Sequence, residues 1–292
     1  MPNDKSVKSV REEGEGIMKS VLEVQNLEVS YGENLILEDL NLQIPKGKIT
    51  VLVGANGCGK STLLRTFARL QKPKSGEIFL EEHPLDGIST KEVAKRLAIL
   101  PQGPVAPEGL TVQQLIKQGR YPHQSWLKQW STEDENIVNN ALEVTQMTEF
   151  ADRPVDALSG GQRQRVWIAM TLAQKTDLIL LDEPTTYLDM AHQVEILDLL
   201  FDLNVNEGRT VVMVLHDLNL ACRYAHHIVA VRNKQVYAQG KPEEVVTPEM
   251  VQAVFRMDCT IMRDPLFGTP LCVPHGKGRT VQMEAFEEVA AT

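Results

Sequence analysis

Gly54, Gly59, Lys60 and Ser61 fit the spacing G-x-x-x-x-G-K-[ST], with Thr62 directly after. Glycines at such places let the backbone curl until successive N–H groups point inward as an anion nest. Lys60 can then reach the β- and γ-phosphates of a nucleotide, and the Ser61 hydroxyl can ligate Mg²⁺. Asn56, Gly57 and Cys58 complete a loop that binds through its backbone. A second turn, Leu158-Ser159-Gly160-Gly161-Gln162, opens a helix and can also sense a phosphate, but it has no lysine to hold a nucleotide alone. One chain with both turns reads as half of an ATP site, completed by a second copy.

Asp182 and Glu183 follow the aliphatic run Leu178-Ile179-Leu180-Leu181. Asp182 is placed to hold Mg²⁺, often through water. Glu183, which would point elsewhere, is the candidate general base for the attacking water. Gln102 follows Leu97-Ala98-Ile99-Leu100 and Pro101, where it can touch both Mg²⁺ and that water. His216 ends another aliphatic run and can hydrogen-bond a γ-phosphate. Tyr31 can stack on an adenine. Taken singly, each of these last three also fits a solvated glutamine, a satisfied histidine or a surface tyrosine. Their order along the chain with the two turns points to nucleotide chemistry.

These residues need particular elements beneath them. Ile49-Thr50-Val51-Leu52-Val53 predicts a buried strand and 61–70 a helix, so the phosphates would lie on a helix N-terminus. The runs 178–181 and 211–215 predict strands buried on both faces of a parallel sheet. The alternation over 22–29 predicts a half-buried strand, forming an antiparallel layer near the adenine with 36–44 and 77–80. Helical spacing over 111–118 and 133–148 places a helical subdomain at about 103–157. A helix is expected over 191–206, and a hairpin with an Asn233-Lys234 turn over 228–237. Two short helices with early prolines follow over 242–255, and strands over 260–275. Trp126 and Trp130 would share a helix face if their segment is helical, either packing the subdomain or, with Tyr121, facing a membrane partner.

The chain has 292 residues, 42% hydrophobic and 24% charged, enough for one large α/β domain with an insertion. A net charge of −9 disfavours broad nucleic-acid binding and adsorption to anionic lipid. No apolar stretch approaches the roughly 20 residues that span a bilayer, and the start lacks a secretory core. The expected place is therefore the cytoplasmic face of the membrane, reached through protein partners. Cys58, Cys222, Cys259 and Cys272 are scattered and read as reduced thiols. Residues 1–20, with four basic and four acidic side chains, are expected to be disordered. The ATPase domain is placed at 21–265 and a C-terminal extension at 266–292.

This order of motifs resembles the nucleotide-binding subunit of ATP-binding cassette (ABC) transporters, over about 22–240. The resemblance implies a P-loop NTPase (RecA-like) core with an antiparallel β layer and an inserted helical subdomain. It implies an adenine-stacking loop at Tyr31, Walker A from Gly54 to Thr62, the glutamine loop at Gln102 and the family signature from Leu158 to Gln162. It further implies Walker B through Asp182, catalysis by Glu183, a dimer-contacting turn at Asp189 and a switch histidine at His216. Ala55 stands where many members have proline, and Cys58 where many have serine or alanine. Cys58 is expected to make the site sensitive to thiol reagents.

Gly119-Arg120-Tyr121-Pro122-His123, Thr185-Thr186-Tyr187-Leu188-Asp189 and the pair His192-Gln193 are similar to the ATPases of ferric-siderophore, haem and vitamin B12 importers. Phe150-Ala151-Asp152-Arg153-Pro154 and the stretch 163–170 look most like the siderophore branch. The resemblance implies ATP and Mg²⁺ as cofactors, a head-to-tail homodimer, permease subunits as partners and, indirectly, a solute-binding protein. A soluble ABC ATPase acting on nucleic acid or in cluster assembly is the competing reading, and haem or vitamin B12 the competing solutes. One cassette, no long coiled-coil insertion and an acidic composition favour the importer.

Overall fold

The computed structural model describes residues 19–125, 130–186 and 188–278. The expected disorder of the N-terminal segment and the place of Trp126 lie outside them, apart from Lys19 and Ser20. Ser20 already belongs to β1 (Ser20–Tyr31), which pairs antiparallel with β2 (Asn34–Pro45). Next come β3 (Ile49–Val53), α1 (Lys60–Phe67), β4 (Ser75–Leu80) and the short β5 (His83–Pro84). The first sheet has the order β2-β1-β4-β5, which is the expected antiparallel layer. Helix α1 stops at Phe67, short of the expected Leu70, because Arg69 takes φ +58 and Leu70 N–H bonds back to Arg65 O.

The chain continues through α2 (Thr90–Arg96), β6 (Leu97–Leu100), α3 (Val112–Gln118), α4 (Thr132–Val144), α5 (Gly160–Ala173) and β7 (Leu178–Leu181). Then follow α6 (Met190–Glu207), β8 (Thr210–Val214), α7 (Leu218–Tyr224), β9 (His227–Arg232) and β10 (Gln235–Gly240). The second sheet has the order β10-β9-β3-β8-β7-β6. Its strands are parallel except β10, which returns from β9 through Asn233 and Lys234, both at positive φ as a two-residue hairpin turn requires. Alternate residues serve two cores. Val51, Ile179, Leu181 and Met213 face α5 and α6, while Leu52, Leu178, Leu180 and Val212 face the antiparallel layer and Phe67. A sheet covered on both faces explains the unbroken aliphatic runs.

Helix α4 ends at Val144 rather than 148, since Gln146 takes φ +58 and Thr145 turns its hydroxyl onto Ala141 O. Helices α3 and α4 both pack on α5, so the helical unit extends beyond residue 157 into the helix that follows. Its ends are tied by a buried ion pair: Arg120 Nε donates to Asp134 Oδ1 over 2.9 Å, and Arg120 also donates to Ala173 O. The adjoining turn Tyr121–His123 leaves Tyr121 80% exposed. It is pinned from both sides. His123 Nε2 donates to Gln174 O, Gln174 Nε2 donates to Ala94 O and Leu97 O, and Lys91 Nζ donates to Gln124 O.

After β10 come α8 (Pro242–Val245), α9 (Pro248–Phe255) and the hairpin of β11 (Cys259–Arg263) with β12 (Pro270–Pro274). Both helices carry the expected proline in the first turn. The hairpin packs on α7 and α9 and runs across the sequence-based boundary at 265.

Candidate functional site

Sheet register brings the site residues together. Leu52 of β3 lies opposite Val214 of β8, so Gly54 and His216 each stand two residues beyond a matched pair. Leu181 of β7 lies opposite Leu100 of β6, which sets Glu183 beside Gln102 in the same way. All four sit past the C-terminal ends of parallel strands, where ligands of open α/β sheets bind.

The loop from β3 to α1 is shaped by glycines that no other residue could replace. A Cβ on Gly54, at φ +151, would lie 2.4 Å from Val231 O. One on Gly59, at φ +106, would lie 2.5 Å from Leu37 Cδ2. Lys60, 5% exposed, donates to Gly54 O and Ala55 O. Asn56, Gly57, Gly59, Lys60, Ser61 and Thr62 line a cleft of about 480 Å³ together with Ile36, Gln102, Glu183 and His216. Ser61 Oγ donates to Asp182 Oδ1 over 2.8 Å beneath it. Burial, with Glu183 nearby, pushes the Asp182 carboxyl up, and the Ser61 hydrogen bond only partly opposes this. A carboxylate touching a hydroxyl oxygen is a donor set that a hard divalent cation takes.

Glu183 is held from three sides. His216 Nε2 lies 2.7 Å from Oε1, Gln102 Nε2 donates to Oε2 over 2.7 Å, and Thr186 Oγ1 donates to the same oxygen. Burial raises the Glu183 carboxyl, but these partners outweigh it and leave it below the usual carboxylate range. Its backbone is left-handed, with φ +54, a strained geometry for a glutamate. Its side chain lines the cleft.

Ser159 caps α5, accepting from Gln162 N–H, while the Gln162 side chain accepts from Ser159 N–H. Ser159 and Gly160 are exposed, and nothing of the described chain stands where a Cβ on Gly160 would lie. Among the described residues lining the cleft, none comes from Ser159, Gly160, Gly161 or Gln162. The turn at Ser159 thus has no share in the lining of this cleft. Tyr31 stands exposed at the end of β1 and Cys58 half-buried in the loop, both outside the cleft lining. Asp189 caps α6 through His192 N–H.

Two contributors escaped the sequence reading. Ile36 reaches the cleft because β2 passes over Gly59, and no local pattern marks it. Thr186 holds Glu183 from three residues away; a threonine inside a turn signals nothing by itself, although its i+3 spacing from a carboxylate is a usable cue.

The ABC transporter family model matches residues 37–186. The petrobactin import ATP-binding protein FpuD of Bacillus anthracis is 67% identical over 267 residues, covering 91% of this chain and 98% of that protein. YusV of Bacillus subtilis (strain 168), described as a probable siderophore transport system ATP-binding protein, is 66% identical over 91% of this chain and 97% of its own. A solved dimeric bacterial ABC transporter cassette superposes with a TM-score of 0.67 at 30% identity, over 75% of this chain and 98% of that one. With Walker A, Walker B, the glutamine, the histidine and the signature turn all in place, this chain belongs to the ABC transporter family.

Proposed function

We propose that this ATPase powers uptake of a ferric siderophore or a related iron complex through a membrane permease, on whose cytoplasmic side it docks. The likeness to two import or siderophore-transport ATP-binding proteins, at 67% and 66% identity over nearly their full length, carries this reading. No helix among the described residues is long and apolar enough to cross a membrane, so contact with a permease would be through exposed surface. Tyr121, held out by the pinned turn, with the edge of the helical unit around it, is the surface we assign to that contact.

The nucleotide would lie with its phosphates in the loop of Gly54 to Thr62, its adenine toward Tyr31. Ser61, Asp182 and Gln102 would hold Mg²⁺, which when bound neutralises phosphate charge. Glu183, aimed by Gln102, His216 and Thr186, would take a proton from the attacking water. Ser159, Gly160 and Gly161 would meet the γ-phosphate bound by the Lys60 loop of a second copy, arranged head to tail. ATP then bridges two chains, and its differential affinity for closed and open pairs does the mechanical work.

Deleting the chain should lower uptake of ferric siderophore, with growth restored by ample simple iron salts and complementation requiring Lys60. A fall in haem or vitamin B12 uptake alone would keep the importer and replace its solute. Unchanged uptake of all of these, with the protein remaining free of membranes beside its permease, would sink the importer reading in favour of a permease-free ATPase.

A further inference from the structure

The pair His192-Gln193 stands out in the sequence and has no part in the chemistry above. It occupies the first turn of α6. His192 Nδ1 lies 2.7 Å from Asp189 Oδ1, the same oxygen that accepts from His192 N–H. Those two bonds hold the Asp189 carboxyl below its ordinary range, so it is an acceptor and Nδ1–H is the donor. The other edge of the ring lies on Gly161. A Cβ built there would be 3.0 Å from His192 Cδ2 and 3.5 Å from Nε2. At Gly160 nothing of the described chain comes within 4 Å of the same position. Adjacent glycines therefore answer to different neighbours: Gly161 to an imidazole of its own chain, Gly160 to none.

Gln193 faces the opposite way, its Nε2 donating to Leu188 O over 3.1 Å and to Thr185 O over 3.4 Å. Farther along, Arg165 of α5 pairs with Glu195 of α6. The His192 side chain is 46% exposed, so filling a core does not account for it. It sits where two turns meet, and both of those turns belong to the face that a second copy would see.

We propose that His192 is a positioning residue that locks Gly161 of the signature turn to Asp189, so that both elements offered to the partner's nucleotide keep one fixed spacing. This rests on the split-site reading. The ring sets a distance that neither turn fixes alone. Loss of the ring frees the signature turn from Asp189 without touching the Lys60 loop. The damage should therefore appear in the partner's site and not in the chain's own.

Mixed dimers of full-length chains carrying two different tags, selected on both, test this directly. The reference is Lys60→Ala paired with wild type, which has one complete site. Placing His192→Ala on the chain opposite Lys60→Ala should leave the reference rate. Placing it on the Lys60→Ala chain should lower kcat about tenfold with KM for ATP within about twofold, the effect expected from losing one hydrogen bond to a charged group. His192→Asn, which keeps a donor near the Nδ1 position, should recover part of that loss. Equal loss in both placements, or none in either, overturns the proposal. A reference dimer no more active than Lys60→Ala alone means that the two shared sites fire only together, and the readout then moves from rate to assembly. In that event, His192→Ala in a Glu183→Gln chain must still raise the protein concentration for ATP-driven dimerisation, with binding of ATP to the monomer unchanged. No such rise overturns the proposal independently.

Discussion

Thr186 Oγ1 donates to Glu183 Oε2 over 2.9 Å, so the glutamate's own turn supplies one of the groups that aim it. Hydrogen bonds to charged groups contribute about 1.5–3 kcal/mol. Thr186→Val keeps the shape and removes the donor, and should lower kcat about tenfold, with Gln102 and His216 still holding the carboxylate. Thr186→Ser should restore the rate. Glu183→Gln should bind ATP and Mg²⁺ normally, lose about 10²–10⁴-fold in turnover, and accumulate as a closed ATP-bound pair. Near-normal hydrolysis in that variant would assign the base to another group.

Ser159→Arg puts a long cation at the exposed cap of α5, outside the chain's own cleft. ATP binding to the Lys60 loop should be retained while hydrolysis and ATP-driven dimerisation are lost. Mixing this variant with Lys60→Ala should recover part of the activity, because one interface then combines an intact Lys60 with an intact Ser159. Sedimentation and phosphate release read the two outcomes, and complete absence of recovery argues against sites shared between chains unless both must fire together.

The Arg120–Asp134 pair should govern acid stability of the helical unit. Both side chains are nearly buried, at 4% and 3% exposure. Burial pushes the Asp134 carboxyl up, but hydrogen bonds from Ser131 and Arg120 prevail and hold it at about 2. Its folded value is below the unfolded one of about 3.9, so the stabilisation is complete above about pH 4 and fades as pH falls toward 2. Asp134→Asn should flatten stability across that window. Asp134→Ala leaves Arg120 buried without its partner and should cost about 3–5 kcal/mol in urea melts.

Cys58 should react first with a maleimide. It is half-buried in the loop, whereas Cys222, Cys259 and Cys272 are buried, with burial pushing the thiol of Cys222 up to about 12 and that of Cys272 to about 11. ATP should protect it, and Cys58→Ala should keep activity while abolishing inhibition. Mass spectrometry locates the label; modification of Cys259 or Cys272 ahead of Cys58 would contradict the exposure argument.

The chain's central elements were legible because each is a local pattern. A run such as Leu178 to Leu181 between polar flanks suits a doubly buried strand, and Gly59-Lys60-Ser61 has few other uses. Element ends were less legible, since α1 and α4 end two residues before Arg69 and Gln146, which adopt positive φ without being glycine. Contacts across the chain were not legible. Nothing local to His192 announces Gly161, 31 positions earlier, and nothing local to Ile36 announces the cleft. The absence of a lysine in the turn at Ser159 is what suggests, from chemistry, that it serves a nucleotide held elsewhere.

The turn Tyr121–His123 is fastened to α2, to the end of α5 and, through Gln174, to Leu97 at the base of β6. A loop clamped at three points is a strut and not a hinge. Its innermost anchor, Leu97, is the first residue of β6, a strand that runs toward the cleft. Gln102 stands two residues past Leu100, beyond the other end of that strand. A single strand thus separates that anchor from the cleft, and loosening His123 or Gln174 would detach the outer turn from it.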